Sequence, residues 1–159
     1  MGKILFLTNI ERNFYMMNRA KEKLVEQGIL SKDCLCRQIN EGTPWGVEWE
    51  KTLSKYDVVV VKWMGTGMDT PFLRKVAAYL ERKKITSLLI MADGDGENKN
   101  YGFSQEEILF LKKYLFYGGL ANYKNLWLWL DSHFCGSGDE FDEPNPQFWA
   151  GIYHPRAPK

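Results

Sequence analysis

The sequence offers no long apolar run at its start. "MGKILFLTN" is far too short for a signal segment or a bilayer span, and charge follows at once in Glu11 and Arg12. It reads as the first strand of a cytoplasmic protein. The myristoylation pattern is missing, because Phe6 stands where a serine or threonine is required. Charge of one sign is missing too: 21 basic and 20 acidic side chains leave a formal net charge of +1, too little to steer the chain to nucleic acid or an anionic membrane. Cysteine is scarce and odd in number, three in all, which excludes a disulfide framework and suits a reducing compartment. Proline is rare in the body of the chain, since four of the six lie within "DEPNPQFWAGIYHPRAPK".

What is present is the mixture of an ordinary globular domain, with 45% hydrophobic and 26% charged residues in a chain of 159. Apolar runs alternate with amphipathic stretches from the first residue onward. That pattern predicts an α/β fold: an open, doubly wound, mostly parallel sheet of four or five strands with helices on both faces, a flavodoxin-like or Rossmann-like three-layer sandwich. The strands fall at "KILFLT" from Lys3, "CLCRQI" from Cys34, "DVVVV" from Asp57 and "TSLLIM" from Thr86. Runs this apolar belong to strands covered on both faces. The α/β domain is expected over residues 1–138. Residues 139–159, rich in proline and without periodicity, read as a tail or linker toward downstream domains, so that the chain is expected to be a fragment.

Helix signals sit between the strands. Phe14, Met17, Leu24 and Val25 fall near helical spacing, with Gly28 as a stop. Thr70 before Pro71 marks a second start, followed by the stripe Leu73, Val76, Ala77 and Leu80. Ser104 and Glu107 form a capping box, with Phe103 and Ile108 at the spacing of a hydrophobic staple. Gly118 and Gly119 end that helix, and "ANYKNLWLWLDSHF", poor in β-branched residues, reads as the last one.

In such a sheet, ligands bind outside the carboxyl ends of the strands, where the strand order reverses. With an order 2-1-3-4, the crevice lies between "TNIERN" (Thr8 to Asn13) and "KWMGTGMDT" (Lys62 to Thr70). Arg12 and Lys62 are candidates to meet carboxylates. Thr8, Asn9 and Thr66 would supply hydrogen bonds, and Trp63 would stack on a flat ligand. The first loop lacks the hydroxyls of a flavin phosphate loop and the glycines of a dinucleotide fold. The end of the third strand lacks a response regulator's aspartate, and no Walker A motif occurs, so ATP has no loop here.

The stretch "LLIMADGDGENKNYGFSQEE" leaves three readings open. Asp93, Asp95 and Glu97 begin like a calcium loop, but Asn98 takes the place of its glycine and Ser104 that of its closing glutamate. The plainer reading is a solvated strand-to-helix turn. A third gives Asp93 and Asp95 to polar contacts with a ligand, a neighbouring domain or a loosely held divalent metal. Cys34, Cys36, His133, Cys135 and His154 miss structural zinc spacings, and the cysteines read as small buried hydrophobes. No serine or cysteine sits at a nucleophile elbow, so no catalytic residue and no metal ligand is assigned. Trp127 and Trp129 read either as half-buried core or, with Trp63, as an aromatic face for a partner.

Taken together, "ILFLTNIERNF", "YDVVVVKWMGTGMDTPFLRK", "MADGDGENKNYGFS", "YLFYGGLANYKNLWLWL" and "WAGIYHPRAP" resemble the amino-terminal region of the cobaltochelatase large subunit, in the family shared with the porphyrin-binding subunit of magnesium chelatase. "GGLANYKN" with "GIYHP" is the specific part. The resemblance implies a ligase subunit that holds a corrin-type tetrapyrrole while cobalt is inserted in cobalamin biosynthesis, with ATP hydrolysed on separate motor subunits. It implies as partners the tetrapyrrole, the downstream domains of the subunit and those ATPase subunits, with no nucleic acid and no membrane. The metal-handling residues of the later domains have no counterpart here, so catalysis by this chain alone is not implied. A purely structural domain with an empty crevice is the alternative.

Overall fold

A computed structural model describes residues 2–65, 70–91 and 98–146 of the chain. The elements run β1 (Ile4–Thr8), α1 (Glu11–Glu26), β2 (Leu35–Gln38), α2 (Val47–Leu53), β3 (Val58–Lys62), α3 (Pro71–Arg82), β4 (Thr86–Ile90), β5 (Asn98–Tyr101), α4 (Gln105–Tyr117) and α5 (Leu120–Cys135). The sheet order is β2-β1-β3-β4-β5, parallel except for the antiparallel β4–β5 pair. This is the expected mostly parallel sheet between two helical layers.

Side chains alternate across a strand, and that period of two divides the core. Ile4, Phe6, Val58, Val60, Leu88 and Ile90 pack with α1, α4 and α5 on one face. Leu5, Leu7, Val59, Val61, Leu89 and Met91 pack with α2 and α3 on the other. Both faces are dry, which is why strands one, three and four read as unbroken apolar runs.

Two elements differ from the sequence reading. α2 carries only Trp49 and Leu53 as buried residues in seven, too short a stripe to register as periodic. β5 is "NKNY", polar and half-exposed, as suits an edge strand covered on one side only. Its presence corrects the reading of the acidic stretch. Asn98 pairs with Ile90 and Tyr101 with Ser87, so residues 98–101 return along β4 as a hairpin before α4 begins. Within a twelve-residue calcium loop starting at Asp93, residues 98–101 are committed to pairing with β4. Asp93 and Asp95 themselves lie outside the described residues, as does Thr66.

The capping box of α4 is formed as expected: Glu107 N–H donates to Ser104 Oγ at 3.1 Å, and Ser104 N–H to Glu107 Oε1 at 2.7 Å. Gly118 and Gly119, with φ of 68° and 86°, turn the chain from α4 into α5. Both angles favour glycine.

Beyond α5, the chain up to residue 146 lies along the two last helices. Asn122, 1% exposed, reads its main chain in both directions: Asn145 N–H donates to Asn122 Oδ1 at 2.9 Å, and Asn122 Nδ2 donates to the Asn145 carbonyl at 2.7 Å. Asn122 Nδ2 also donates to the Gly118 carbonyl at 2.7 Å. Asp142 N–H donates to Asn125 Oδ1 at 2.9 Å, and the Tyr114 hydroxyl donates to the Asp142 carbonyl. The segment "GGLANYKN" therefore builds both the interhelical turn and an asparagine ladder for the tail.

The other end of the chain meets α5 as well. Gly2 N–H donates to Asp131 Oδ1 at 2.7 Å, and Asp131 is wholly buried. Asp139 lies close to Asp131, and one carboxylate oxygen of each, Oδ2, is buried without a hydrogen-bond partner among the described residues. Burial first, and then Asp139, push Asp131 above the ordinary carboxylate range, against the opposing pull of the Gly2 amide. A carboxyl with a raised folded-state pKa contributes stability that is complete below its unfolded value and lost as pH rises through the folded one. Asp131→Asn, which keeps an acceptor for Gly2 and gains a donor for Asp139, is expected to flatten that loss and raise the melting temperature at pH 8 relative to wild type. Thermal melts from pH 4 to 9 check this. A difference between the two proteins that does not grow with pH contradicts it.

Candidate functional site

The loops after β1 and β3 meet at the carboxyl end of the sheet, where the strand order reverses. Thr8 and Lys62 are register partners in adjacent strands. They share the parity of Phe6 and Val60 and so face the α1 and α5 side. Thr8 is 0% exposed and its Oγ accepts from the Ile10 N–H at 3.0 Å. Lys62 is buried and already engaged by other groups of the protein. Neither presents itself to a ligand in this arrangement.

Asn9 is spent on a different task. Its Nδ2 donates to the Met64 carbonyl at 2.6 Å and its Oδ1 accepts from the Met64 N–H at 2.9 Å. This side chain pairs with Met64 as a neighbouring strand would, and it bolts the two crevice loops together.

Trp63 corrects the stacking role assigned to it. It continues the parity of Val59 and Val61, and its side chain enters the α2 and α3 face at 0% exposure. Its indole N–H finds no hydrogen-bond partner among the described residues. The side chain that does stand at the mouth is Met64, 57% exposed and fixed through its own backbone by Asn9. The sequence reading erred by one residue, and counting the alternation from Val59 would have corrected it.

Arg12 is exposed on the first turn of α1, beside the crevice. The next residue, Asn13, donates from Nδ2 to the Tyr123 hydroxyl at 2.9 Å and joins the rim to α5. Burial raises the Tyr123 pKa, while Asn13 and then the Arg12 charge oppose that rise. Tyr123 thus remains a neutral phenol at neutral pH. Asn13 and Tyr123 were missed as rim residues because their partnership spans 110 positions of sequence.

The remaining candidates are structural. Trp127 and Trp129 are buried, and Trp127 Nε1 donates to the Met17 carbonyl at 2.9 Å, so they make no face for a ligand. Cys34 and Cys36 are buried, and burial pushes both thiols up to about 12, which leaves them protonated and poor as nucleophiles or ligands. His133 pairs with Glu107 and stacks on Trp129 with ring centroids 5.4 Å apart. Among the described residues, no group of three or more His, Cys, Asp or Glu side chains could hold a metal ion. No described helix is long and apolar enough to cross a membrane.

Comparison with known proteins adds three findings. No family model matches the chain. An uncharacterized protein of Methanocaldococcus jannaschii is 50% identical over 42 residues, which are 26% of this chain and 3% of that protein. Among solved structures, the catalytic subunit of cobaltochelatase from Mycobacterium tuberculosis superposes with a TM-score of 0.64 at 15% identity, over 92% of this chain and 12% of that one. The chain thus spans a small part of the length of both proteins it matches. Nearly all of it shares the fold of one region of a cobaltochelatase catalytic subunit.

Proposed function

We propose that this chain is the amino-terminal module of an ATP-dependent cobaltochelatase large subunit, and that it contributes to the tetrapyrrole site while cobalt is inserted in cobalamin biosynthesis. The observation that carries the reading is the likeness in fold to a cobaltochelatase catalytic subunit across 92% of the chain. On this reading, cobalt is a substrate handled by later domains of the same subunit, and ATP is hydrolysed on separate motor subunits.

The crevice then serves as one wall of the site. Arg12 supplies a guanidinium for a carboxylate or amide oxygen on the macrocycle's rim, and Met64 supplies a polarizable apolar contact for its flat face. Asn9 holds Met64 in place, while Thr8, Lys62, Asn13 and Tyr123 form the bonded layer beneath. Arg12→Ala is expected to weaken binding of a cobalt-free corrin precursor on the order of tenfold, the worth of a charge-assisted hydrogen bond. Met64→Ser should weaken it less. Equal affinities for both variants and wild type, measured by equilibrium titration, contradict a site at this crevice.

A second reading has its own support. Thr8, Asn9 and Lys62 are all consumed inside the protein, which leaves few free polar groups among the described residues of the crevice. A domain that serves the subunit's architecture alone would look the same. The two readings part on whether the isolated chain binds the macrocycle.

A further inference from the structure

Two buried oxygens near the end of α5 lack partners. Asp131 Oδ2 and Asp139 Oδ2 each sit inside the protein with no hydrogen bond among the described residues, although the two carboxyls lie close together. The backbone holds them there. After the chain turns at Gly136, the Ser137 N–H donates back to the Asp131 carbonyl at 3.3 Å, and the Asp139 N–H donates to Ser137 Oγ at 3.2 Å. The Asp131 side chain also takes the Gly2 N–H on Oδ1, so this one carboxyl stands between the entry of β1 and the start of the tail.

An ionised carboxylate can only accept hydrogen bonds, and two of them buried side by side would repel each other. One proton removes both faults, because the oxygen that carries it becomes a donor and the facing oxygen its acceptor. The other groups around the pair do not take over this task. Burial pushes the thiols of Cys34 and Cys135 up to about 12 and about 11, so both are uncharged in the neutral range. The Asp57 charge bears on Cys135 and the Lys21 charge on Cys34, while the charge of the amino terminus favours the ionised form of Asp131. Among the described residues, no cluster able to hold a metal ion replaces the proton.

We propose that Asp131 and Asp139 hold one proton between them, and that this proton latches the start of the tail onto the end of α5 in a latch that opens as pH rises. Further along, the tail is held by Asn125 and Asn122, which do not titrate, so the opening is confined to the first residues after α5. The direction follows from the proton count. Opening exposes both acids to water, where they ionise at about pH 4, so it releases the shared proton and becomes easier with rising pH until the closed pair itself ionises.

The test is amide hydrogen exchange at Ser137 and Asp139 in the 159-residue chain from pH 5 to 9, corrected for the intrinsic rate. In wild type, protection of these two amides should fall by up to about tenfold per pH unit, as expected for one proton lost on opening, and then level off. Asp139→Asn keeps the shape and supplies a permanent donor, so its protection should stay flat. Asp139→Ala removes the second acid altogether, and its amides should be less protected than those of wild type at pH 5 and no less protected at pH 9. Flat protection in wild type overturns the proposal. So does a slope that survives in Asp139→Asn, which would give the titration to Asp131 or the amino terminus alone, and so does an alanine variant weakened equally at both pH values.

Discussion

Asn122→Asp is expected to destabilise the protein by more than about 3 kcal/mol at neutral pH, the cost of leaving a buried charge without a partner. The substitution is nearly isosteric, so packing is not what changes. Asn122 is 1% exposed, and its Nδ2 faces the carbonyls of Gly118 and Asn145, each at 2.7 Å. An aspartate would point a carboxylate oxygen at two carbonyl oxygens. Protonation returns one donor, so the introduced carboxyl should titrate well above the usual range, and the variant should recover part of its stability as pH falls. Asn122→Ala removes three hydrogen bonds without adding a charge and should cost about 2–3 kcal/mol, at about 1 kcal/mol per bond, with little dependence on pH. Chemical denaturation of the three proteins at pH 5 and pH 8 checks both statements. An aspartate variant as stable as the alanine one at pH 8 would contradict the ladder geometry.

Gly2→Ala is the second large effect, and it comes from shape. A Cβ at Gly2 would lie 2.1 Å from Cys135 Sγ and 2.4 Å from Cys135 Cβ, far inside contact distance. Relief requires β1's entry or the end of α5 to move, and overpacking of this kind costs about 1–3 kcal/mol. The Gly2 amide is also the one that Asp131 holds, so a shift of the backbone would strain that buried bond as well. Removing only the sulfur, with Cys135→Ala, leaves the 2.4 Å clash in place. Cys135→Gly clears it. The expected result is that Cys135→Gly recovers part of the loss from Gly2→Ala and Cys135→Ala recovers little. Equal rescue by the two would show that the sulfur alone sets the contact.

How far the sequence foretells the structure depends on which physical signal each element leaves. β1, β3 and β4 are buried on both faces and announce themselves as apolar runs, while α3 and α4 carry Thr70 with Pro71 and Ser104 with Glu107 at their starts. β5 leaves no such signal, since an edge strand needs neither apolar residues nor strict alternation. The crevice was locatable from topology, but its chemistry was not. Thr8, Asn9 and Lys62 are the residue types that bind ligands, and they are equally the types that satisfy buried loops. Trp63 and Met64 exchanged roles through one step of strand parity. Asn122 and Asn125 stood in plain view inside "GGLANYKN", yet their partners lie 23 and 17 residues away respectively, beyond the reach of local pattern.

Whether this domain takes part in holding the macrocycle is answered most directly by calorimetric titration of the 159-residue chain with a cobalt-free corrin precursor. Our reading predicts saturable binding that Arg12→Ala weakens on the order of tenfold. No heat of binding from a protein shown to be folded would contradict it, and would leave the chain as an architectural module of a larger subunit.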